Sequence, residues 1–244
     1  MRKIDRNEFH PSFFKGLAHR GLHDEKRTEN GMAAFQNAID HGVAFELDIH
    51  ITKDDELIVC HDSDLIRTTG KAGIIEEMTS KEIRDNYRLL DGGVVPTLQE
   101  VLDLNQERCL IAVELKPYMN KNKRLAKKAK EVLKQIKDPK KITIISFDPR
   151  ALFFFGKGRF TRGLLLSITR TDVYSFVKYF DYIDIGYELL HYAKTTKYKK
   201  KGGIVNVWTI QTDQDLTYVG GWVDTITFQY LDPKKVEEAI NGKN

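Results

Sequence analysis

An α/β fold is predicted: eight parallel strands closed into a (β/α)8 barrel, with a small insertion after the second barrel strand. Two observations carry this. Short apolar runs alternate with amphipathic stretches along the whole chain, and eight such units fill the 244 residues, which is the arithmetic of a strand–helix barrel. A third disfavours the open doubly wound sheet, the nearest alternative: the first strand–helix turn lacks a glycine fingerprint of the GxGxxG kind.

The apolar runs fall at 16–19, 43–50, 109–115, 142–146, 163–168, 182–185, 204–210 and 224–227. They are short and rich in Ile, Val and Leu, as strands buried on both faces must be. Helical patterns fall at 32–41, 97–104, 123–136, 172–179, 189–197, 213–219 and 233–240. In the third of these, Leu125, Ala129, Val132, Leu133 and Ile136 recur at helical spacing. Residues 56–61 read as a further strand, hairpinned onto the second across Lys53-Asp54-Asp55. The rhythm then breaks, and residues 53–96 are expected to form a lid-like insertion over the C-terminal mouth, where barrel sites are built. The whole chain, 1–244, is expected to be one barrel domain. The lysine-rich stretch 121–141 keeps helical periodicity and reads as a solvated outer face.

Apolar residues make up 41% and charged residues 30% of the chain, enough for a large core under a solvated surface, which excludes disordered, collagenous and disulfide-scaffold classes. No apolar run approaches the roughly 18 residues of a spanning helix. The first fifteen residues mix charges with aromatics, so no signal peptide is expected and a cytoplasmic location follows. A net charge of +4 does not announce a nucleic-acid partner. Cys60 and Cys109 lie in apolar runs without ligand spacing and read as buried thiols. The aromatic strings Phe13-Phe14 and Phe153-Phe154-Phe155 are expected to pack beneath the barrel helices, with peripheral contact to a bilayer as the alternative.

Chemistry concentrates at the strand ends. Glu46 and Asp48 alternate within one apolar strand and share a face, with His50 in phase; Glu114 and Lys116 share a face of the next barrel strand. Carboxylates in such runs must be paired or bound to a cation. Three converging acids favour a divalent ion, and all-oxygen ligation suits Mg²⁺ or Ca²⁺. An ion-pair network with Lys116 and Arg20 is the competing reading. His19 and His61 fall at equivalent depths, and imidazoles near a cation site suit general acid–base work. Asp62 can orient one ring. Arg20 and Lys116 supply positive charge suited to a phosphate. Trp208 is placed either in the core or against a substrate.

His19-Arg20-Gly21, Glu29-Asn30, Glu46-Leu47-Asp48, Thr52-Lys53-Asp54, His61-Asp62, Arg67-Thr68-Thr69, Pro96-Thr97-Leu98 and Glu114-Leu115-Lys116 together resemble the glycerophosphodiester phosphodiesterase family. The resemblance is dense over residues 18–116 and thinner to the C-terminus. It implies a TIM barrel that hydrolyses glycerophosphodiesters to glycerol 3-phosphate and an alcohol. It also implies Glu46, Asp48 and Glu114 as ligands of one divalent metal ion, His19 and His61 as the acid–base pair, and Arg20 and Lys116 as phosphate contacts. A phospholipase D-like activity on lysophospholipids or sphingomyelin is the second reading, and a non-catalytic ligand-binding barrel the third. Two positions depart from the family pattern. Thr28 stands where a proline is usual, a change expected to loosen a loop. Phe228-Gln229 replaces the usual acid and proline after the last strand, which alters the rim on the alcohol side.

Overall fold

The computed structural model describes residues 5–242. Nine strands form one sheet: β1 (Leu17–Ala18), β2 (Ala44–Ile51), β3 (Leu57–Val59), β4 (Ile111–Leu115), β5 (Ile142–Ser146), β6 (Thr161–Leu166), β7 (Tyr182–Gly186), β8 (Val205–Ile210) and β9 (Thr225–Phe228). Eight are parallel, and β1 pairs with both β2 and β9, so the sheet closes into the predicted (β/α)8 TIM barrel. The ninth, β3, runs antiparallel to β2, with Ile49 opposite Val59, as the hairpin reading expected.

Outside the barrel lie α1 (Met32–Asp40), α2 (Ile66–Thr69), α3 (Ser80–Asn86), α4 (Leu98–Asn105), α5 (Asn122–Val132), α6 (Pro149–Phe155), α7 (Ala193–Lys200), α8 (Asp213–Val219) and α9 (Pro233–Asn241). Their starts follow local chemistry. Thr79 and Thr97 close capping boxes with Glu82 and Glu100, while Asp148 and Asp232 cap helices that begin with proline. Helix α6 was not anticipated: three successive phenylalanines blur the helical period, although Asp148-Pro149 is itself a start signal. The stretch expected as a helix at 172–179 lies in a 3-10 segment, Ile168–Tyr179, that is kinked at Arg170; its β-branched Thr169, Thr171 and Val173 disfavour the wider helix. Helix α7 begins later than its pattern suggested, after a separate turn at Tyr187–Leu189.

Apolar packing falls into three bodies. The largest lies between the sheet and the helices. A second fills the barrel interior, where Phe9 and Phe13, from the segment before β1, plug one end against Tyr182 with ring centroids 5.7 and 5.1 Å away. Gly163 makes room for that tyrosine, since a Cβ there would lie 2.3 Å from its ring. The third joins Ile58, Leu65, Ile75, Ile83, Tyr87 and Val95 beneath the insertion. Cys60 and Cys109 are buried free thiols. Among the described residues no helix is long and apolar enough to cross a membrane.

Candidate active site

Strand pairing decides which acids meet. Asp48 of β2 lies opposite Glu114 of β4, and alternation brings Glu46 to the same face. One carboxylate oxygen from each of Glu46, Asp48 and Glu114 lies within 4.8 Å of the others, and all three residues are buried. Two cations reach this cluster. Lys116 Nζ stands 3.4 Å from Asp48 Oδ1 and 3.4 Å from Glu114 Oε1, and Arg20 Nε stands 3.5 Å from Asp48 Oδ2. The Arg20 amide donates to Glu46 Oε2 at 3.0 Å, and Asn30 Nδ2 donates to Asp48 Oδ2 at 2.8 Å. The predicted cation site and the predicted ion-pair network are therefore superimposed.

The cluster is not internally balanced. Burial, then the charges of Asp48 and Glu114, push the Glu46 carboxyl well above its ordinary range. Burial lifts Glu114 to about 7 against the pull of Lys116. At Asp48, burial is outweighed by Lys116, His61, Arg20 and the Asn30 hydrogen bond, so that group stays well below the usual range. Asp48 Oδ1 and Arg20 Nε are buried without hydrogen-bond partners. Three carboxylates facing two side-chain cations, with an oxygen left over, form a donor set that fits one hard divalent ion.

Both predicted histidines stand at the same opening. His19 Nδ1 lies 2.9 Å from Gln229 Oε1, a carbonyl that accepts its proton, and His61 Nδ1 lies 2.7 Å from Asp62 Oδ1. Either contact leaves Nε2 as the free nitrogen. Burial and the Arg20 charge lower His19 to about 4, and burial lowers His61 as well, so both rings are neutral near pH 7. Behind His61 runs a chain of charge. Arg67 Nε donates to Asp62 at 2.6 Å and its guanidinium grips Glu29 at 2.8 and 2.9 Å, while Glu29 also accepts from Arg20 at 2.8 Å.

A cavity of about 110 Å³ is lined by His19, Arg20, Glu46, His61 and Glu114 on one side. Phe147, Asp184, Trp208 and Thr227 line the other. Trp208 therefore faces the opening, and its Nε1 donates to the Asp184 carbonyl at 3.2 Å. A wider groove of about 420 Å³ continues past His61, Lys116 and Arg170.

Some residues behave differently from their sequence phase. His50 does not join the acids: its Nδ1 lies 2.6 Å from Glu76 and its Nε2 3.1 Å from the His61 carbonyl, which braces the His61 backbone. Thr28 ties its loop to the insertion, its amide donating to Asp91 Oδ2 and its hydroxyl accepting from the Asp91 amide. Phe228 turns into the outer core, leaving Gln229 to meet His19. Sequence reasoning assigned no role to Asn30, Arg67, Asp184 or Asn206. For Asp184 a signal was present, an acid inside the apolar run Tyr182–Gly186.

Residues 19–232 match the Glycerophosphoryl diester phosphodiesterase family. A glycerophosphodiester phosphodiesterase of Bacillus altitudinis is 32% identical over 152 residues, 59% of this chain and 62% of the relative, so the match spans a little under two thirds of that protein. The crystal structure of a Thermotoga maritima glycerophosphodiester phosphodiesterase superposes with a TM-score of 0.74 at 25% identity, covering 93% of this chain and 97% of that one. An Oleispira antarctica phosphodiesterase, solved in complex with the product sn-glycerol-3-phosphate, superposes with a TM-score of 0.79 over 92% of this chain and 96% of that one; at 24% identity the likeness is one of fold.

Proposed function

The chain belongs to the glycerophosphoryl diester phosphodiesterase family, and from that premise we propose that it hydrolyses glycerophosphodiesters to glycerol 3-phosphate and an alcohol. The observation that carries this reading is a cluster of three under-neutralised buried carboxylates, two of which, Glu46 and Glu114, line one small cavity together with two neutral imidazoles. Glu46, Asp48 and Glu114 would hold one divalent ion, Mg²⁺ or Ca²⁺ by donor type. Such an ion supplies Lewis-acid polarisation of the phosphoryl oxygens. Arg20 and Lys116 bind the non-bridging oxygens, where negative charge is spread in the transition state.

Asp62 makes His61 the ring better able to carry a proton, so in its protonated form His61 gives that proton from Nε2 to the oxygen of the departing alcohol as the bond from that oxygen to phosphorus breaks. His19, beside Arg20 and held through Nδ1 by a neutral amide, presents an unprotonated Nε2 that takes the proton of the attacking hydroxyl as its oxygen bonds to phosphorus. Trp208 and Phe147 offer an apolar wall to the glycerol carbons. In the same reading residues 53–96 cap the mouth of a single barrel domain, reaching the cluster through His61 and Arg67. The unpaired thiols suit a reducing, cytoplasmic setting.

Release of glycerol 3-phosphate from glycerophosphocholine or glycerophosphoethanolamine, abolished by EDTA and restored by Mg²⁺ or Ca²⁺, is the expected result. No turnover of any glycerophosphodiester with either ion present would overturn the reading. The small cavity favours a deacylated substrate over lysophospholipid or sphingomyelin, and faster choline release from lysophosphatidylcholine than from glycerophosphocholine would reverse that choice. A binding-only barrel would leave every property unchanged on His19→Ala and His61→Ala.

A further inference from the structure

Three consecutive outer segments, α6, the 3-10 segment Ile168–Tyr179 and α7, lie side by side on one flank and carry chemistry that hydrolysis does not use. Phe153, Phe154, Phe176 and Tyr179 expose between 36 and 48% of their surface. Phe153 stands at their centre, its ring 6.1 Å from Phe176 and 5.6 Å from Tyr179. Only Phe155 of the triplet is buried as the sequence suggested. Exposed aromatics gathered in a cluster ask for an apolar partner.

Basic side chains border this ridge on both sides. A cavity of about 410 Å³ shares Lys178 and Tyr179 with the ridge and adds Lys140, Lys157 and Arg159, with Glu8 and Asp181 as its acids. On the other side a groove of about 320 Å³ shares Lys178 and adds Lys194, Lys197 and Lys201, and no acid lines it. Arg150 pairs with Asp148, Arg170 with Asp172 and Lys199 with Asp224, while Lys178 and Lys194 lie over the rings of Tyr179 and Tyr174.

We propose that this flank docks on an anionic lipid surface, the aromatic ridge entering the headgroup boundary and the lysines meeting the negative charge. Charge decides between occupants. A second copy packed on the same patch would set lysine against lysine, whereas a leaflet with anionic headgroups is complementary to the acid-free groove of Lys178, Lys194, Lys197 and Lys201 and to the lysines on the other side of the ridge. The inference is independent of the proposed hydrolysis, since its readout needs no turnover.

The test is sedimentation of the full chain with phosphatidylcholine vesicles, with and without phosphatidylglycerol. Binding to the anionic vesicles alone, weakened by salt, is expected. Each lysine near an anionic surface contributes roughly fivefold in affinity, so the triple variant Lys194→Glu, Lys197→Glu, Lys201→Glu should lose binding by more than about a hundredfold. Arginines at those positions should retain it. Phe154→Ser alone, on the surface, should weaken binding severalfold while circular dichroism shows the fold intact. The proposal is overturned by indifference to anionic vesicles, equal binding to neutral ones, or binding unmoved by both variants. Tighter capture of RNA by the same lysines, or a solution dimer that hides Phe153, would overturn it equally.

Discussion

The two walls of the barrel mouth place carboxyl groups at similar depth and resolve them in opposite ways. On β2 and β4, three acids face Lys116 and Arg20, and the surplus pushes Glu46 and Glu114 up while Asp48 is held down. Across the mouth, Asp184 of β7 forms no ion pair among the described residues. Asn206 donates to it at 2.7 Å and to Thr227 Oγ1 at 2.8 Å. Burial, working against the Asn206 bond, lifts Asp184 to about 8, so near pH 7 it is a neutral acid. Where carboxylates outnumber cations, the fold stores an unmet demand for positive charge. Where one carboxyl meets an amide, protonation meets the demand, and what remains is a polar brace under Trp208. The first wall is built for chemistry and the second for shape.

The largest difference should appear in turnover. His61→Ala should lower kcat for glycerophosphocholine by about 10²–10⁴-fold, the usual range for a positioned acid or base. Asp184→Asn, which keeps size and hydrogen bonding, should change kcat by no more than a few-fold. Equal losses would erase the distinction between the walls. Next comes the response to cations. After EDTA treatment, adding Mg²⁺ or Ca²⁺ should stabilise the protein by about 2.7 kcal/mol when the free ion reaches a hundredfold its Kd. Thermal melts should show this gain in the wild type and in Asp184→Asn, and show it much reduced in Glu46→Gln and Glu114→Gln. The amide variants should also melt higher than wild type in EDTA, because each removes a carboxyl whose ionisation is opposed by burial and by its acidic neighbours.

The cation wall was legible in sequence because its signal is local. Glu46 and Asp48 break an apolar run two residues apart, and alternation alone puts them on one face. Asp184 breaks an apolar run in the same way, yet its partners Asn206 and Thr227 sit on later strands, and nothing near it in sequence declares a pair. His50 had the right phase and the wrong neighbours: at the end of β2 the hairpin and insertion supply Glu76, and the ring turns to it. The barrel followed from periodicity, whereas the Phe9 and Phe13 plug did not, since a segment outside the strand–helix rhythm has no period to read. In α6 the phenylalanines face both the core and solvent, which is why no single stripe marked the helix.

The pH dependence of stability distinguishes the walls further. The folded pKa of Asp184 lies above its unfolded value, near 4. Between about pH 4 and about pH 8 the folded state therefore binds a proton that the unfolded chain has released. Stability contributed by the neutral acid is full below that window and is lost as pH rises through it. Asparagine does not titrate. In EDTA, Asp184→Asn should match wild type at about pH 4 and gain on it by about 1.4 kcal/mol per pH unit across the window, reaching about 5 kcal/mol above about pH 8, read from urea midpoints. A constant difference across that range would mean that Asp184 is charged in the folded protein and that both walls carry anions.

The smallest effect tests whether the walls act separately. Thr227→Val keeps the branched shape in β9 and removes the oxygen that accepts from Asn206. Asn206 retains its bond to Asp184, so the loss is one neutral hydrogen bond with a buried donor left half-satisfied, about 1 kcal/mol of stability. Chemical denaturation measures this directly. Because Thr227 touches none of the three clustered carboxylates through a hydrogen bond, the cation-induced rise in melting temperature should be the same as in wild type. If that rise falls together with stability, Asn206 and Asp184 are holding β4 in register across the barrel, and the second wall sets the spacing of the first.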